Sequence, residues 1–145
     1  MSNPTDEPAK LLSTGFDRSM GFHFVTVSAD EVVIEYTVNE QHLQPYGIVH
    51  GGVHCAAFET ACSAGAAMSA MPRGQSVVGL ENHTSYVRAV RGGTIVRVTA
   101  TPVTRGRRSQ LWEARAQATD GKTIATGSVR LLCLDPGTDL AGKKV

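Results

Sequence analysis

A long, nearly uncharged segment in the middle of the chain limits most strongly what it can fold into. Residues 50–71 are rich in alanine, and Glu59 is their single acidic residue. Alanine has the highest helix propensity, and the residues Pro-Arg-Gly at 72–74 are typical of a helix end. A helix that is apolar on nearly every side is buried all round. The rest of the chain is therefore expected to surround this helix.

The segments on both sides of the helix have the pattern of β-strands. Before it, residues 21–28 and 31–38 flank a short turn, and Val32, Ile34, Tyr36 and Val38 fall on one face, which is the period-two signal of a strand. After it, Asp120-Gly121 is a strong hairpin signal. The four extended segments that follow the helix are residues 75–90, 93–104, 109–119 and 123–134.

This order of elements predicts an α+β domain. Two strands come first, then the buried helix, then four strands that we expect to form a meander. One helix cannot cover both faces of such a sheet, but a strongly curved antiparallel sheet of about six strands can wrap around it. The outer face of the sheet is only half polar, so we expect a second copy of the chain to cover it.

Length and composition indicate one domain that does not depend on disulfides or a structural metal for its stability. The chain has 145 residues, which favours a single domain, here residues 19–135, with a flexible lead-in at 1–18 and a flexible tail at 136–145. The formal net charge of +1 gives no indication of a nucleic-acid partner. No apolar segment is long enough to span a membrane, and the polar N-terminus does not resemble a secretory signal. A cytoplasmic location is expected.

The cysteines are expected to be reduced thiols. They number three, Cys55, Cys62 and Cys133. The first two lie in the predicted helix with Cα atoms about 10 Å apart, which is beyond the reach of a disulfide.

The start of the helix is a candidate site for an oxyanion. His50, Gly51 and Gly52 stand where a loop becomes the helix. The first backbone N–H groups of a helix have no partner within it, and this end carries a partial positive charge. Glycines let a ligand approach the backbone closely. A thioester carbonyl under attack would be stabilised there.

Glu59 is the candidate base or nucleophile. An isolated carboxylate in an apolar helix is costly to bury, and such groups are often functional. Ser63 lies one turn further on the same helical face. Glu59 follows His50 by about two and a half turns, so it points away from the first turn of its own helix. If both features are catalytic, the site is shared between two subunits of a dimer.

These motifs resemble a known family. The sequence QPYGIVHGGVHCAAFETACSAGA at residues 44–66 is similar to the signature of hotdog-fold thioesterases of the phenylacetate-degradation (PaaI) type. Within that group it resembles the branch of the glutamate-type 4-hydroxybenzoyl-CoA thioesterase and the enterobactin proofreading thioesterase. The resemblance extends over about residues 20–134 and includes VVGLENHTSYVRAVRGG and GRRSQLWEARAQATDGK.

The resemblance implies an activity and a set of roles. The reaction would be hydrolysis of an acyl-CoA or aroyl-CoA thioester to a carboxylic acid and free CoA. Glu59 would be the nucleophile or general base, the Gly51 N–H would polarise the carbonyl, Gln44 and His50 would orient the substrate, and Ser63 would support the attacking water. Gln44 and Gly51 would come from one subunit and Glu59 and Ser63 from its partner, in a homodimer that pairs into a homotetramer. CoA is part of the substrate, so no cofactor is expected.

CoA also requires partners for its phosphates. Arginine binds phosphate through bidentate hydrogen bonds, and arginines cluster near two predicted turns. The residues expected to bind substrate are Gly52, Asn82, His83, Arg88, Arg91, Arg107, Arg108 and Ser109.

Other interpretations remain open from the sequence. Glu59 could pair with an arginine, His50 could merely fix the helix entry, and Ser63 could be a small packing residue. His50 and His54 have a spacing that zinc ligands can use, but Cys55 and Glu59 point elsewhere, so no metal site is expected. A non-catalytic acyl-CoA binding module and a hotdog-type enoyl-CoA hydratase are the alternative functions.

Overall fold

The computed structural model describes residues 14–145 and shows one long helix wrapped by a six-stranded antiparallel sheet. The hotdog architecture expected from the sequence is confirmed. The elements are α1 (Gly15–Ser19), β1 (His23–Val27), β2 (Val32–Thr37), α2 (Gly51–Ala70), β3 (Ser76–Tyr86), β4 (Ile95–Arg105), β5 (Ser109–Ala118), β6 (Thr123–Leu134), β7 (Asp139–Leu140) and β8 (Lys143–Lys144).

The ends of α2 follow from its sequence. The imidazole of His50 caps the first turn, where its Nδ1 accepts a hydrogen bond from the Gly52 N–H at 2.9 Å. At the other end the chain tightens into a 3₁₀ turn at Met71–Arg73. Gly74 then adopts a left-handed conformation with φ 68°, which glycine reaches without steric cost.

The sheet differs from the expected meander in the position of β3. The strand order is β1-β2-β4-β5-β6-β3, so β3 pairs with β6 and not with its neighbour in sequence, β4. The reason is that β4 pairs with β2 and thereby joins the two halves of the sheet around the helix. After β3, an edge strand, the chain crosses past β6 and β5 to β4 in the interior of the sheet through residues 87–94. Only β4, β5 and β6 form a meander.

The core lies between α2 and the concave face of the sheet. Val32, Ile34 and Tyr36 of β2 are buried, as predicted, and Val33 between them is buried as well. Trp112 of β5 is fully buried, and its ring packs so closely on α2 that a side-chain carbon at Gly65 would overlap it. The small residues of the helix therefore let the sheet approach it closely.

The ends of the described chain are more ordered than the sequence suggests. β7 and β8 form a short hairpin within residues 136–145, where we expected a flexible tail. Asp139 and Lys144 pair across this hairpin, an interaction between residues close in sequence that the strand pattern was too short to reveal. Residues 15–18 of the expected lead-in belong to α1, and residues 1–13 lie outside the described part.

Two further observations concern the cysteines and the hydropathy of the helices. Cys55, Cys62 and Cys133 are free thiols, as predicted. No helix within residues 14–145 has the length and hydropathy needed to cross a membrane.

Candidate functional site

The first turn of α2 forms one wall of an open cleft. The cleft has a volume of about 290 Å³ and contains Gln44 from the preceding loop, Gly51 from the helix and Arg88 from the segment after β3. The loop is held by two isolated bridges, Leu43 to Val49 and Ile48 to Arg91. The structure thus brings Gln44 and the Gly51 backbone together, as the sequence analysis expected of one subunit.

Tyr86, at the end of β3, covers Gly51. A side-chain carbon at Gly51 would lie 2.6 Å from the Tyr86 ring and 3.0 Å from its hydroxyl oxygen, so glycine is what allows this approach. The same hydroxyl lies 3.1 Å from the Cys55 sulfur. This hydrogen bond is the largest cause of the raised pKa of Tyr86, which keeps the phenol protonated.

His54 is a buried histidine in this cleft. Its side chain is only 3% exposed, and within the described residues its Nδ1 has no hydrogen-bond partner. Burial lowers the pKa of His54 to about 4, so the ring is neutral at pH 7. His50, by contrast, is exposed and serves as the N-cap of α2.

Glu59 lies further along the helix and faces β3 and α1. It lines a second cavity, of about 340 Å³, together with Ser63, Thr60 and Asp17. The Thr60 hydroxyl donates to Asp17 Oδ1 at 2.6 Å, which ties α1 to the rim of the cavity. The other lining residues are Phe24, Ala64, Ala67 and Val77.

The Glu59 carboxylate is held between two residues of β3. Oε2 accepts a hydrogen bond from Asn82 Nδ2 at 3.1 Å. Oε1 occupies the space where Gly79 has no side chain, since a carbon added there would overlap it. Asn82 also donates to the Cys55 carbonyl at 2.9 Å and accepts from the Thr84 hydroxyl at 2.7 Å.

Within one subunit the candidate catalytic residues therefore fall into two groups. Gln44 and Gly51 line the first cleft, whereas Glu59 and Ser63 line the second cavity. A site that uses all four residues would therefore need one pair from each of two copies of the chain.

The residues expected to bind CoA are spread over the surface. Arg88 lines the first cleft, and Arg107 and Arg108 line a third cavity of about 370 Å³ with Gln75, Cys133 and Asp135. The remaining candidates are placed as follows: Gly52 is exposed in the first turn of α2, Arg91 is exposed opposite Ile48, Ser109 begins β5, and the exposed His83 has its Nε2 3.8 Å from Glu81 Oε2.

Several features of the site were not apparent from the sequence. The expectation for Asn82 was contact with substrate, and its observed partners are Glu59, Cys55 and Thr84. Neither the space at Gly79 nor the approach of Tyr86 to Gly51 has a sequence signal, because both depend on which strand lies beside the helix. Across residues 14–145 no three potential metal-binding side chains converge.

The chain resembles proteins of known family. The sequence model of the thioesterase superfamily matches residues 46–125. A Mycobacterium tuberculosis protein named as an esterase, Rv1847, is 38% identical to this chain over 138 residues. The match covers 93% of this chain and 98% of that protein. The 1,4-dihydroxy-2-naphthoyl-CoA hydrolase of Listeria monocytogenes is 32% identical over 130 residues, covering 90% and 98%.

A comparison with solved structures agrees with these sequence matches. The crystal structure of S. sahachiroi AziG superposes with a TM-score of 0.81 at 35% identity, covering 84% of this chain and 98% of that one. The matched sequence agrees with the fold described above, in which a sheet wraps a buried helix whose first turn contains glycines. This chain therefore belongs to the thioesterase superfamily and has its hotdog fold, which places it among the thioester hydrolases.

Proposed function

We propose that this protein hydrolyses acyl-CoA or aroyl-CoA thioesters to a carboxylic acid and free CoA, with Glu59 as the nucleophile or general base. The observation that carries the proposal is the environment of Glu59. It is the single acid of α2, it lines a cavity large enough for an acyl group, and a hydrogen bond from Asn82 holds one of its two oxygens. The membership in the thioesterase superfamily supplies the reaction class.

The first turn of α2 would stabilise the charge that develops on the thioester oxygen. The Gly51 N–H is at the first helical position, where no intrahelical acceptor exists. A backbone donor aimed at a developing oxyanion contributes more in the transition state than in the ground state. Gln44, in the same cleft, would orient the carbonyl, and His50 would hold the turn through its bond to Gly52.

The chemistry balances with Glu59 in either role. As a general base it takes a proton from water, the hydroxide oxygen bonds to the carbonyl carbon, and the carbon–sulfur bond breaks as CoA leaves as a thiolate that is then protonated. As a nucleophile it bonds to the carbonyl carbon itself, the carbon–sulfur bond breaks as CoA leaves as a thiolate that is then protonated, and water cleaves the resulting anhydride to the carboxylic acid and free Glu59. Ser63, one turn from Glu59, would hold the water in both cases.

A dimer joined along β3 would complete the site. β3 is the last strand of the sheet and is paired only with β6 among the described strands. It spans Ser76–Tyr86 with Leu80 54% exposed, and a long unprotected edge of this kind favours pairing with another strand. A two-fold axis there would place Glu59 and Ser63 of one subunit opposite Gln44 and Gly51 of the other.

Further assembly and recognition of CoA are part of the proposal. Two such dimers would form a tetramer. Arg88 lies beside the first cleft and is the nearest candidate for a CoA phosphate, with Arg91, Arg107, Arg108 and Ser109 as the further positions. The relative from Listeria monocytogenes, which acts on an aroyl-CoA, supports aroyl thioesters as the first substrates to test.

The direct test is thiol release from a panel of acyl-CoA and aroyl-CoA thioesters. We expect turnover by the wild type and a loss of about 10²- to 10⁴-fold in Glu59→Gln, because that variant keeps the shape of the side chain but cannot accept a proton. Glu81→Gln is the matched control, since Glu81 is an exposed carboxylate on β3 that pairs with Arg130. No thiol release from any thioester would refute the proposal. Binding of CoA without release would then indicate a binding module, and loss of enoyl absorbance without release would indicate a hydratase.

A further inference from the structure

We propose that Asn82 is a positioning residue that selects which oxygen of Glu59 does the chemistry, and that Thr84 in turn fixes Asn82. This inference rests on the proposed function of Glu59 as base or nucleophile. It reassigns Asn82 from the substrate contact that the sequence suggested to the support of the catalytic carboxylate.

The hydrogen bonds of Asn82 fix the orientation of its amide. Nδ2 lies 2.9 Å from the Cys55 carbonyl oxygen, which can only accept, so the nitrogen must be on that side. Its second hydrogen points to Glu59 Oε2 at 3.1 Å. Oδ1 accepts from the Thr84 hydroxyl at 2.7 Å. The amide has no remaining hydrogen to offer a substrate.

Asn82 faces the helix because β3 contains one extra residue. Gly79 pairs with Leu131 and Glu81 pairs with Arg130, so Leu80 has no partner on β6. Side chains alternate along a regular strand, and Gly79 faces Glu59. If Leu80 were instead paired with β6 as in a regular strand, Glu81 would be the next side chain to face the helix.

The register shift therefore determines the charge opposite Glu59. It turns Glu81 to the outside, where its carboxylate pairs with Arg130. It brings Asn82 to the inside, where it donates to the Glu59 carboxylate. A neutral donor thus takes the place that a second carboxylate would have had. β-bulges are used in this way beside active sites to aim a side chain.

The two oxygens of Glu59 consequently have different surroundings. Oε2 is engaged by Asn82, whereas Oε1 lies in the space left by Gly79. A donor hydrogen bond favours the ionised carboxylate, and it also holds the plane of the group. We assign proton removal or attack to Oε1.

The other titratable groups near Glu59 do not provide a substitute for this donor. Asp17 of α1 lies in the same cavity. Cys62 is buried on α2, and burial, with smaller contributions from Glu59 and Glu113, raises its pKa to about 12. Cys55 contributes its carbonyl to Asn82. None of the residues that line the Glu59 cavity is a lysine or an arginine.

The experiment compares Asn82→Leu and Asn82→Asp with the wild type by two readouts. The first is the chemical shift of the Glu59 carboxylate ¹³C resonance, which is assigned by its loss in Glu59→Gln. The second is the pair of constants kcat and KM for thiol release. For Asn82→Leu we expect the carboxylate resonance to move and kcat to fall about 10-fold, with KM changed less than about twofold. For Asn82→Asp we expect a larger loss of kcat, because two carboxylates would share one site.

Thr84 provides a graded test. Thr84→Val removes the donor to Asn82 and should give smaller changes of the Glu59 resonance and of kcat in the same direction. Thr84→Ser keeps the hydroxyl and should restore the wild-type resonance and kcat. Thr104→Val, at an exposed threonine of β4, is the control for loss of a threonine hydroxyl. Asn82→Ala serves in place of Asn82→Leu if the larger side chain prevents folding.

Two results would overturn the inference. An unchanged Glu59 carboxylate resonance in both Asn82 variants would show that the contact does not act on the carboxylate. A rise in KM with unchanged kcat would show that Asn82 binds substrate. The resonance is observed without turnover, so a wild type that releases no thiol would contradict the proposed function while the contact of Asn82 with Glu59 was still measured.

Discussion

Replacement of Gly79 by alanine should displace the Glu59 carboxylate, the proposed catalytic group, while leaving the fold in place. A methyl group at Gly79 would overlap Glu59 Oε1 and lie 3.3 Å from Cδ. Van der Waals contacts are favourable only near 3.5–4.0 Å, so the carboxylate has to retreat by about 1 Å. A misplacement of this size at a reacting group costs about 10²-fold in rate.

The folded state should tolerate this change. Gly79 does not have a positive φ, and alanine in place of glycine reduces the entropy of the unfolded chain. The overlapping atom is the end of a flexible side chain, which can rotate away. We therefore expect a free energy of unfolding within about 1 kcal/mol of the wild-type value.

The assay is kcat/KM for thiol release, with urea unfolding measured in parallel. Gly92→Ala is the matched control, because a side-chain carbon at Gly92 meets no atom within 4 Å. Glu59→Asp combined with Gly79→Ala should recover part of the lost activity, since the shorter side chain withdraws its carboxylate from the new methyl group. Wild-type activity in Gly79→Ala, with the protein folded, would refute the reasoning.

Three other outcomes are expected. An equal mixture of Glu59→Ala and Gln44→Ala subunits should regain about a quarter of wild-type activity after subunit exchange, since each mixed dimer has one intact site; no recovery would argue against a shared site. Gly65→Ala should lower the free energy of unfolding by about 1–3 kcal/mol in urea titrations, because the methyl group overlaps the buried Trp112 ring, despite a gain of about 1 kcal/mol in helix propensity; a more stable variant would show that the ring moves aside. His54 has a folded pKa of about 4, below its ordinary value of 6.5, so the unfolded chain binds the proton first and stability should fall by about 1.4 kcal/mol per pH unit between pH 6.5 and 4; His54→Leu should remove that part of the slope, and the same slope in both proteins would contradict it.

The sequence was sufficient for the elements whose signals are local. The α2 helix, expected at residues 50–71, spans Gly51–Ala70, and β6 has the predicted bounds Thr123–Leu134. In both cases the local composition and the flanking turn residues determine where the element begins and ends. The separation of Glu59 from the first turn of its own helix also follows from helical geometry alone.

The arrangement of β3 could not be derived in this way. Its pairing with β6 joins residues far apart in the chain, and no local pattern distinguishes that partner from β4. The extra residue at Leu80 likewise exists only relative to its partner strand. For this reason Asn82 was expected to face a substrate, and its bond to Glu59 emerged only from the folded arrangement.

The register shift in β3 separates two kinds of change in strand length. Leu80 could be deleted without turning the strand over, because Glu81 and Asn82 already lie opposite the consecutive residues Arg130 and Val129. Deletion of one residue between Asn82 and Tyr86 would instead turn over every side chain that follows it, and Tyr86 would leave Gly51. A loop graft or chimaera that keeps Asn82, Thr84 and Tyr86 but changes the number of residues between them would retain each side chain and misdirect those that follow the change. The spacing from Asn82 to Tyr86 therefore matters to the site as much as the identity of these residues.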